Sequence, residues 1–237
     1  MICWSCERAA GAGERCASCG AIQAPDLTAD HFKVLGIARE FGIDLKAAEG
    51  RFRELSRAVH PDRFATADAR ARRFSMQRTV QLNEAWKTLR DPVRRAEYLL
   101  SLEGWEIGSE AGASRPGAAP AERERIPVPA ALLGEVLELR EELADARGAR
   151  DDRRVLGLAI DVRGRLDAAL TRVAEGLVSV DSPPQRAGVL EGVAQQLLAI
   201  RYWRRFLDEV EVHEEAEQAR RDDVGPSGTS QEGKHVA

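Results

Sequence analysis

All four cysteines of the chain lie in its opening segment, as Cys3-Trp4-Ser5-Cys6 and, after nine residues, Cys16-Ala17-Ser18-Cys19. Each Cys-x-x-Cys loop turns two sulfurs toward one point, so two such loops facing each other supply four thiolates to a tetrahedral ion. Zinc is the default occupant, and iron held by four thiolates is the less favoured alternative. A disulfide pair also fits the count, although a reducing cytosol disfavours it; a redox-active Cys-x-x-Cys usually stands alone beside a strand-and-helix pattern that this segment lacks. The segment is too short for an apolar core of its own, so a bound ion would be what folds it.

The second group with chemical potential is His60-Pro61-Asp62. Pro61 lacks an amide proton and disfavours helical geometry at His60, so the chain must turn there and present an imidazole and a carboxylate together. No catalytic set accompanies them. His31, His60, His213 and His235 are widely separated, there is no Gly-x-Ser-x-Gly and no phosphate-cradling glycine loop, and the acidic residues lie on mixed-charge helix faces. The residues point to binding rather than to an enzyme.

The elements that must hold these groups are helical. Leu45, Ala48, Phe52, Leu55 and Val59 recur at three- and four-residue intervals before the tripeptide, and Phe74, Leu82, Ala85, Trp86 and Leu89 mark a longer helix after it. The tripeptide therefore sits at the tip of a helical hairpin. Lys46, Arg53 and Arg57 share one face of the first helix, away from its apolar stripe, where an acidic partner surface can dock. A short helix at Asp30 to Gly36 precedes the hairpin, and Asp91-Pro92 ends the long helix and starts a fourth that runs to Gly104-Trp105. Three later patterns predict a bundle: Leu132, Val136, Leu139 and Leu143; Val155, Leu158, Val162, Leu166 and Leu170; and, after Pro183-Pro184, Val193, Leu197, Ile200 and Leu207. Gly157, Gly164, Gly176 and Gly192 fall inside these helices, each costing about 1 kcal/mol against alanine, which points to modest stability or close packing there.

The predicted fold is thus all-α. Its parts are a tetracysteine knuckle over 1–25, a hairpin domain over 26–107, a flexible linker over 108–127, a three-helix bundle over 128–213 and a disordered tail over 214–237. On the first bundle helix, Leu133 and Leu137 lie to one flank of the core stripe, and that flank continues into Glu141 and Asp145: two leucines bordered by carboxylates make a docking strip. With 237 residues, 43% hydrophobic and 31% charged, the chain suits two small modules better than one large domain. A net charge of −4 and the lack of interleaved aromatic and basic residues argue against nucleic acid and anionic lipid. There is no apolar run of spanning length and no basic-then-apolar leader, so the expected location is the cytoplasm.

The hairpin with His60-Pro61-Asp62 at its tip resembles the J domain, the module with which co-chaperones stimulate the ATPase of a DnaK-type chaperone. The resemblance implies that His60, Pro61 and Asp62, with the basic face of Lys46, Arg53 and Arg57, contact the ATPase and its interdomain linker. The run from Asn83-Glu84-Ala85-Trp86 through Asp91-Pro92 to Tyr98-Leu99-Leu100 narrows this to the HscB-type iron–sulfur co-chaperones, some of which carry a four-cysteine knuckle beginning Cys-Trp-x-Cys, as here. In that family the region matching Leu133 to Leu143, including Leu133, Leu137, Glu138 and Glu141, holds the iron–sulfur scaffold protein IscU, and Phe206 matches a further position of that surface. Implied partners are therefore a DnaK/HscA-type ATPase chaperone and an IscU-type scaffold. Gly134 departs from the pattern, since family members carry a larger apolar residue there.

Overall fold

The structure is a computed structural model, and it describes residues 2–11, 13–107, 125–126, 128–178 and 186–223. Among these residues there are seven helices: α1 His31–Leu35, α2 Leu45–Val59, α3 Ala69–Leu89, α4 Pro92–Leu102, α5 Ala130–Gly148, α6 Asp152–Val178 and α7 Arg186–Asp223. One addition to the helical expectation is a pair of two-residue strands, β1 Glu106–Ile107 and β2 Arg125–Ile126, running parallel. They stand at either side of residues 108–124, most of the expected linker, which lie outside the described residues.

Contacts divide the chain into two compact units, Met1–Pro127 with Leu170–Leu197 and Val128–Ala169 with Leu198–Ala237. The division differs from the expected one, because the end of α6 and the start of α7 go with the first unit. Side chains inside that unit show why. Arg186 at the start of α7 pairs with Glu103 at 2.5 Å, Glu103 lies 3.7 Å from Arg39, and Leu177 and Leu190 line one cleft with Phe41 and Leu99. Gly176 serves the approach of α6 to the start of α7: a Cβ there would fall 2.5 Å from Val193 Cγ2, whereas at Gly157, Gly164 and Gly192 it would meet nothing within 4 Å.

Helix starts in the first unit follow from local chemistry. Asp30, Asp44, Asp68 and Asp91 each occupy an N-cap and accept backbone N–H groups that the helix leaves open, worth about 1 kcal/mol apiece. Pro92 opens α4 where its missing N–H costs nothing. Ala48, Leu55 and Val59 of α2 and Phe74, Leu82, Ala85 and Leu89 of α3 are buried, as are Phe32 and Leu35 of α1. Phe52 stacks on Trp86 at 5.3 Å. Leu45 departs from its stripe: it is the first residue of α2 and remains 44% exposed. Tyr98 of α4 accepts the His31 N–H at 3.0 Å, which ties the fourth helix to the first.

In the second unit Leu132, Val136, Leu139, Leu143 and Ala146 of α5 are buried with Val155, Ala159 and Val162 of α6 and Ile200, Trp203, Phe206 and Val210 of α7. Arg165 donates to Glu135 and, at 2.7 Å, to Asp161, with its guanidinium 5.9 Å from the Trp203 ring. Helix α7 continues to Asp223, well past Glu214, where fraying was expected. The polar composition from Glu214 onward misled because Glu, Ala, Gln and Arg are all strong helix formers. Residues 224–237 lie outside the described ones.

Candidate metal knuckle and docking surfaces

The Sγ atoms of Cys3, Cys6, Cys16 and Cys19 all lie within 4.8 Å of one another. Cys3 and Cys19 are 3.6 Å apart and Cys6 and Cys16 3.7 Å. Four sulfurs at about 2.3 Å from a central ion form a tetrahedron with edges of about 3.8 Å, whereas a disulfide needs about 2.05 Å. The thiols are free and spaced as a ligand cage, so the donor set fits a metal ion.

The cage is built by two loops that repeat one pattern thirteen residues apart. Cys3 N–H donates to Arg8 O and Cys16 N–H to Ala21 O, both at 2.8 Å; Glu7 N–H donates to Cys3 O at 3.0 Å and Gly20 N–H to Cys16 O at 2.9 Å. The Ser5 and Ser18 amides point at Cys3 Sγ and Cys16 Sγ, each at 3.4 Å. Bridges Ile2 to Ala9 and Arg15 to Ile22 close the two loops. Each loop needs a left-handed residue after its second cysteine. Gly20, at φ 74°, adopts this freely, while Glu7, at φ 59°, does so at a cost of about 1 kcal/mol.

Electrostatics favour a cation in the cage. Burial pushes the Cys3 thiol up, but the N–H groups of Cys6 and Ser5 and the sulfurs of Cys19 and Cys16 outweigh it and bring it down to about 6. At Cys6 the Arg8 N–H acts downward, yet burial and the three neighbouring sulfurs push it up to about 12. Positive charge among the sulfurs is what would let Cys6 join Cys3 as a thiolate. Gln23, only 2% exposed, donates Nε2–H to Cys3 Sγ at 3.3 Å and to Ala21 O at 2.8 Å, an outer contact that orients the ligand.

The knuckle is held on the hairpin by long side chains. Trp4 donates Nε1–H to Ile22 O at 2.6 Å and meets Phe74 edge-on at 6.2 Å. Arg78 of α3 donates to Gln23 O at 2.7 Å and Ala24 O at 3.0 Å, and Gln81 to Asp26 O at 2.7 Å. Ile22 itself is buried in the hairpin core.

At the hairpin tip α2 stops at Val59, and Pro61–Phe64 form a single 3-10 turn. Buried Ser75 of α3 donates to Val59 O at 2.6 Å, which fixes the end of α2 from inside. His60 Nδ1 accepts the Asp62 N–H at 3.3 Å, and Arg63 N–H donates to His60 O at 3.0 Å. The Asp62 side chain is 90% exposed, so the turn offers its carboxylate to solvent from a constrained backbone. Lys46, Arg53 and Arg57 are all exposed on α2. Arg53 is matched by Glu49 at 2.6 Å, however, which reduces the net charge of that face.

On α5, Leu133 and Leu137 are 40% and 60% exposed, and Glu138, Glu141 and Asp145 are exposed as well. A Cβ at Gly134 would meet nothing within 4 Å, so the strip has open space beside Leu133. Phe206 is a correction. It is 1% exposed and belongs to the core of its unit, where a large aromatic is worth more than at the surface, rather than to the exposed strip of Leu133 and Leu137. Sequence reasoning also missed Gln23, Ser75 and Arg15, whose contacts with Cys3, Val59 and Ala58 span long stretches of chain; the placement of Arg15 and Gln23 beside the cysteine loops was the available signal.

Residues 30–98 match the family model described as the DnaJ domain, and residues 128–211 match the HSCB C-terminal oligomerisation domain. The crystal structure of human co-chaperone protein HscB superposes with a TM-score of 0.69 at 26% identity, covering 90% of this chain and 98% of that one. Chaperone HscB from Vibrio cholerae gives 0.62 at 28% identity, covering 79% and 99%. A DnaJ domain carrying the exposed His60-Pro61-Asp62 turn makes the chain a J-domain protein. The second family domain and the two structures narrow the class: it is an HscB-type co-chaperone, here with a four-cysteine cluster at the front. Among the described residues no helix is long and apolar enough to cross a membrane.

Proposed function

We propose that this protein stimulates the ATPase of a DnaK/HscA-type chaperone through His60, Pro61 and Asp62 and the Lys46, Arg53 and Arg57 face, and brings to it an IscU-type iron–sulfur scaffold held on α5, so promoting cluster transfer. The observation that carries the reading is the Asp62 carboxylate, 90% exposed on a turn fixed by Pro61, by the His60 imidazole and by Ser75 beneath it. A charge so placed meets a cationic site without reorganising. Leu133 and Leu137 supply the apolar area for the scaffold, with Glu138, Glu141 and Asp145 as its rim. The knuckle holds one zinc ion on Cys3, Cys6, Cys16 and Cys19, since a tetrathiolate cage without redox demand suits that ion.

The test is a steady-state ATPase assay with a DnaK-type chaperone, with and without the scaffold, comparing wild type with Asp62→Asn. The variant should lose stimulation by at least about tenfold while helicity and scaffold binding persist, because a charge-assisted contact is removed and no core residue is touched. Full stimulation by Asp62→Asn would refute the mechanism. Stimulation that ignores the scaffold would leave a generic J-protein acting on unfolded chains.

A further inference from the structure

We propose that Arg15 of the knuckle is a positioning residue for the His60-Pro61-Asp62 turn, so that the metal-folded loop sets the shape of the surface that docks on the chaperone. The inference rests on the docking role given to that turn above. Arg15 immediately precedes Cys16, and its backbone is bridged to Ile22. Its Nη1–H donates to Gly20 O at 3.2 Å, next to Cys19, which anchors the guanidinium to the second cysteine loop. From there Nη2–H donates to Ala58 O at 3.0 Å, and the planar cation lies 5.0 Å from the centre of the Phe64 ring. Ala58 stands two residues before His60 and Phe64 two residues after Asp62. One side chain therefore touches both arms of the turn.

The Ala58 carbonyl is among the last four of α2, which have no acceptor role within the helix. A cation donating to it satisfies that oxygen and also suits the negative end of the helix dipole. Ser75 holds the neighbouring Val59 carbonyl from the core side, so Arg15 supplies the outer half of the same clamp. The first loop of the knuckle shows that this side chain is not needed to build the cage. Its counterpart of Arg15 is Ile2, which is 73% exposed, yet the main-chain N–H groups of the loop bond around Cys3 as their counterparts do around Cys16.

The experiment is hydrogen exchange on the full metal-loaded chain, read over residues 58–65, for wild type, Arg15→Ala and Arg15→Lys, with metal content and thermal midpoint measured on the same samples. Arg15→Ala should keep its ion and its midpoint while exchange in that segment speeds by about three- to tenfold. In the ATPase assay its half-saturating concentration should rise by a similar factor with maximal stimulation retained, a split that a purely structural defect would not give. Arg15→Lys should fall between, since it keeps one charged donor but has no planar face for Phe64. Unchanged exchange over 58–65 in Arg15→Ala overturns the proposal. If that variant loses its metal, Arg15→Lys is read in its place, with faster exchange supporting the brace and wild-type exchange refuting it. Failure of wild type to stimulate any ATPase would refute the function above, and the exchange result would still decide the role of Arg15.

Discussion

The two surfaces proposed for docking are built on different physical lines. At the hairpin tip the contact is a point: one carboxylate, 90% exposed, on a backbone tied down by Pro61, His60 and Ser75. On α5 it is an area: Leu133 and Leu137, 40% and 60% exposed, edged by Glu138, Glu141 and Asp145. A point contact is lost whole by one substitution, whereas an area is lost in proportion to what is trimmed. The difference teaches that the chaperone contact should be nearly all-or-none and the scaffold contact graded.

The sharpest way to break the comparison is to confuse area with core. Leu143→Ala removes a side chain only 1% exposed, and should cost about 2–5 kcal/mol of stability in a thermal or denaturant melt, with scaffold binding falling only as far as unfolding carries it. Replacing Leu133 and Leu137 together by alanine should do the reverse. On the order of 100 Å² of apolar contact at about 25 cal/mol per Å² is about 2–3 kcal/mol, so scaffold affinity should drop by about fiftyfold in a titration while the melt hardly moves. Unchanged affinity, or a loss that merely follows early melting, would remove the strip from the scaffold contact.

Removing the metal ion should separate the two surfaces further. Chelation should disorder the loops from Cys3 to Cys19, whose enclosed core is little more than Cys3, Ala10 and Cys16, while the hairpin core persists. Stimulation should then weaken by a few-fold, about the effect of losing Arg15, and scaffold binding on α5 should not change. Acid should act in the same direction as chelation: as pH falls, protons compete for sulfurs that must be thiolates to hold the ion, so metal is released on the acid side. Metal analysis across a pH series checks this. The smallest effect belongs to Glu141→Ala, a rim charge that should alter scaffold affinity by no more than about twofold and mostly at low salt.

What was legible in the sequence was local. The two Cys-x-x-Cys loops, the proline turn and the aspartate caps each act through residues a few positions away, and the helical stripes from Ala48 to Val59 and from Leu132 to Leu143 lie where their spacing put them. Phe206 was not legible because α7 is apolar on more than one side, with Leu197, Leu198, Ile200, Trp203 and Val210 all buried, so spacing alone did not tell core from contact surface. The clamp on the turn was invisible for another reason. Arg15 and Ala58 are forty-three residues apart, and no short pattern links a knuckle arginine to the end of a helix.

The near-equivalence of the two cysteine loops has its own consequence, a division of labour drawn by broken symmetry. Positions that match between the halves serve ligation: the cysteines, the amides aimed at sulfur, and the left-handed residue at Glu7 and Gly20. Positions that do not match serve address. Trp4, opposite exposed Ala17, grips Phe74, and Arg15, opposite exposed Ile2, grips Ala58 and Phe64. A knuckle with its first loop copied over the second would keep its ion and its Trp4 contact with Phe74, but with isoleucine in place of Arg15 it would lose its grip on Ala58 and Phe64.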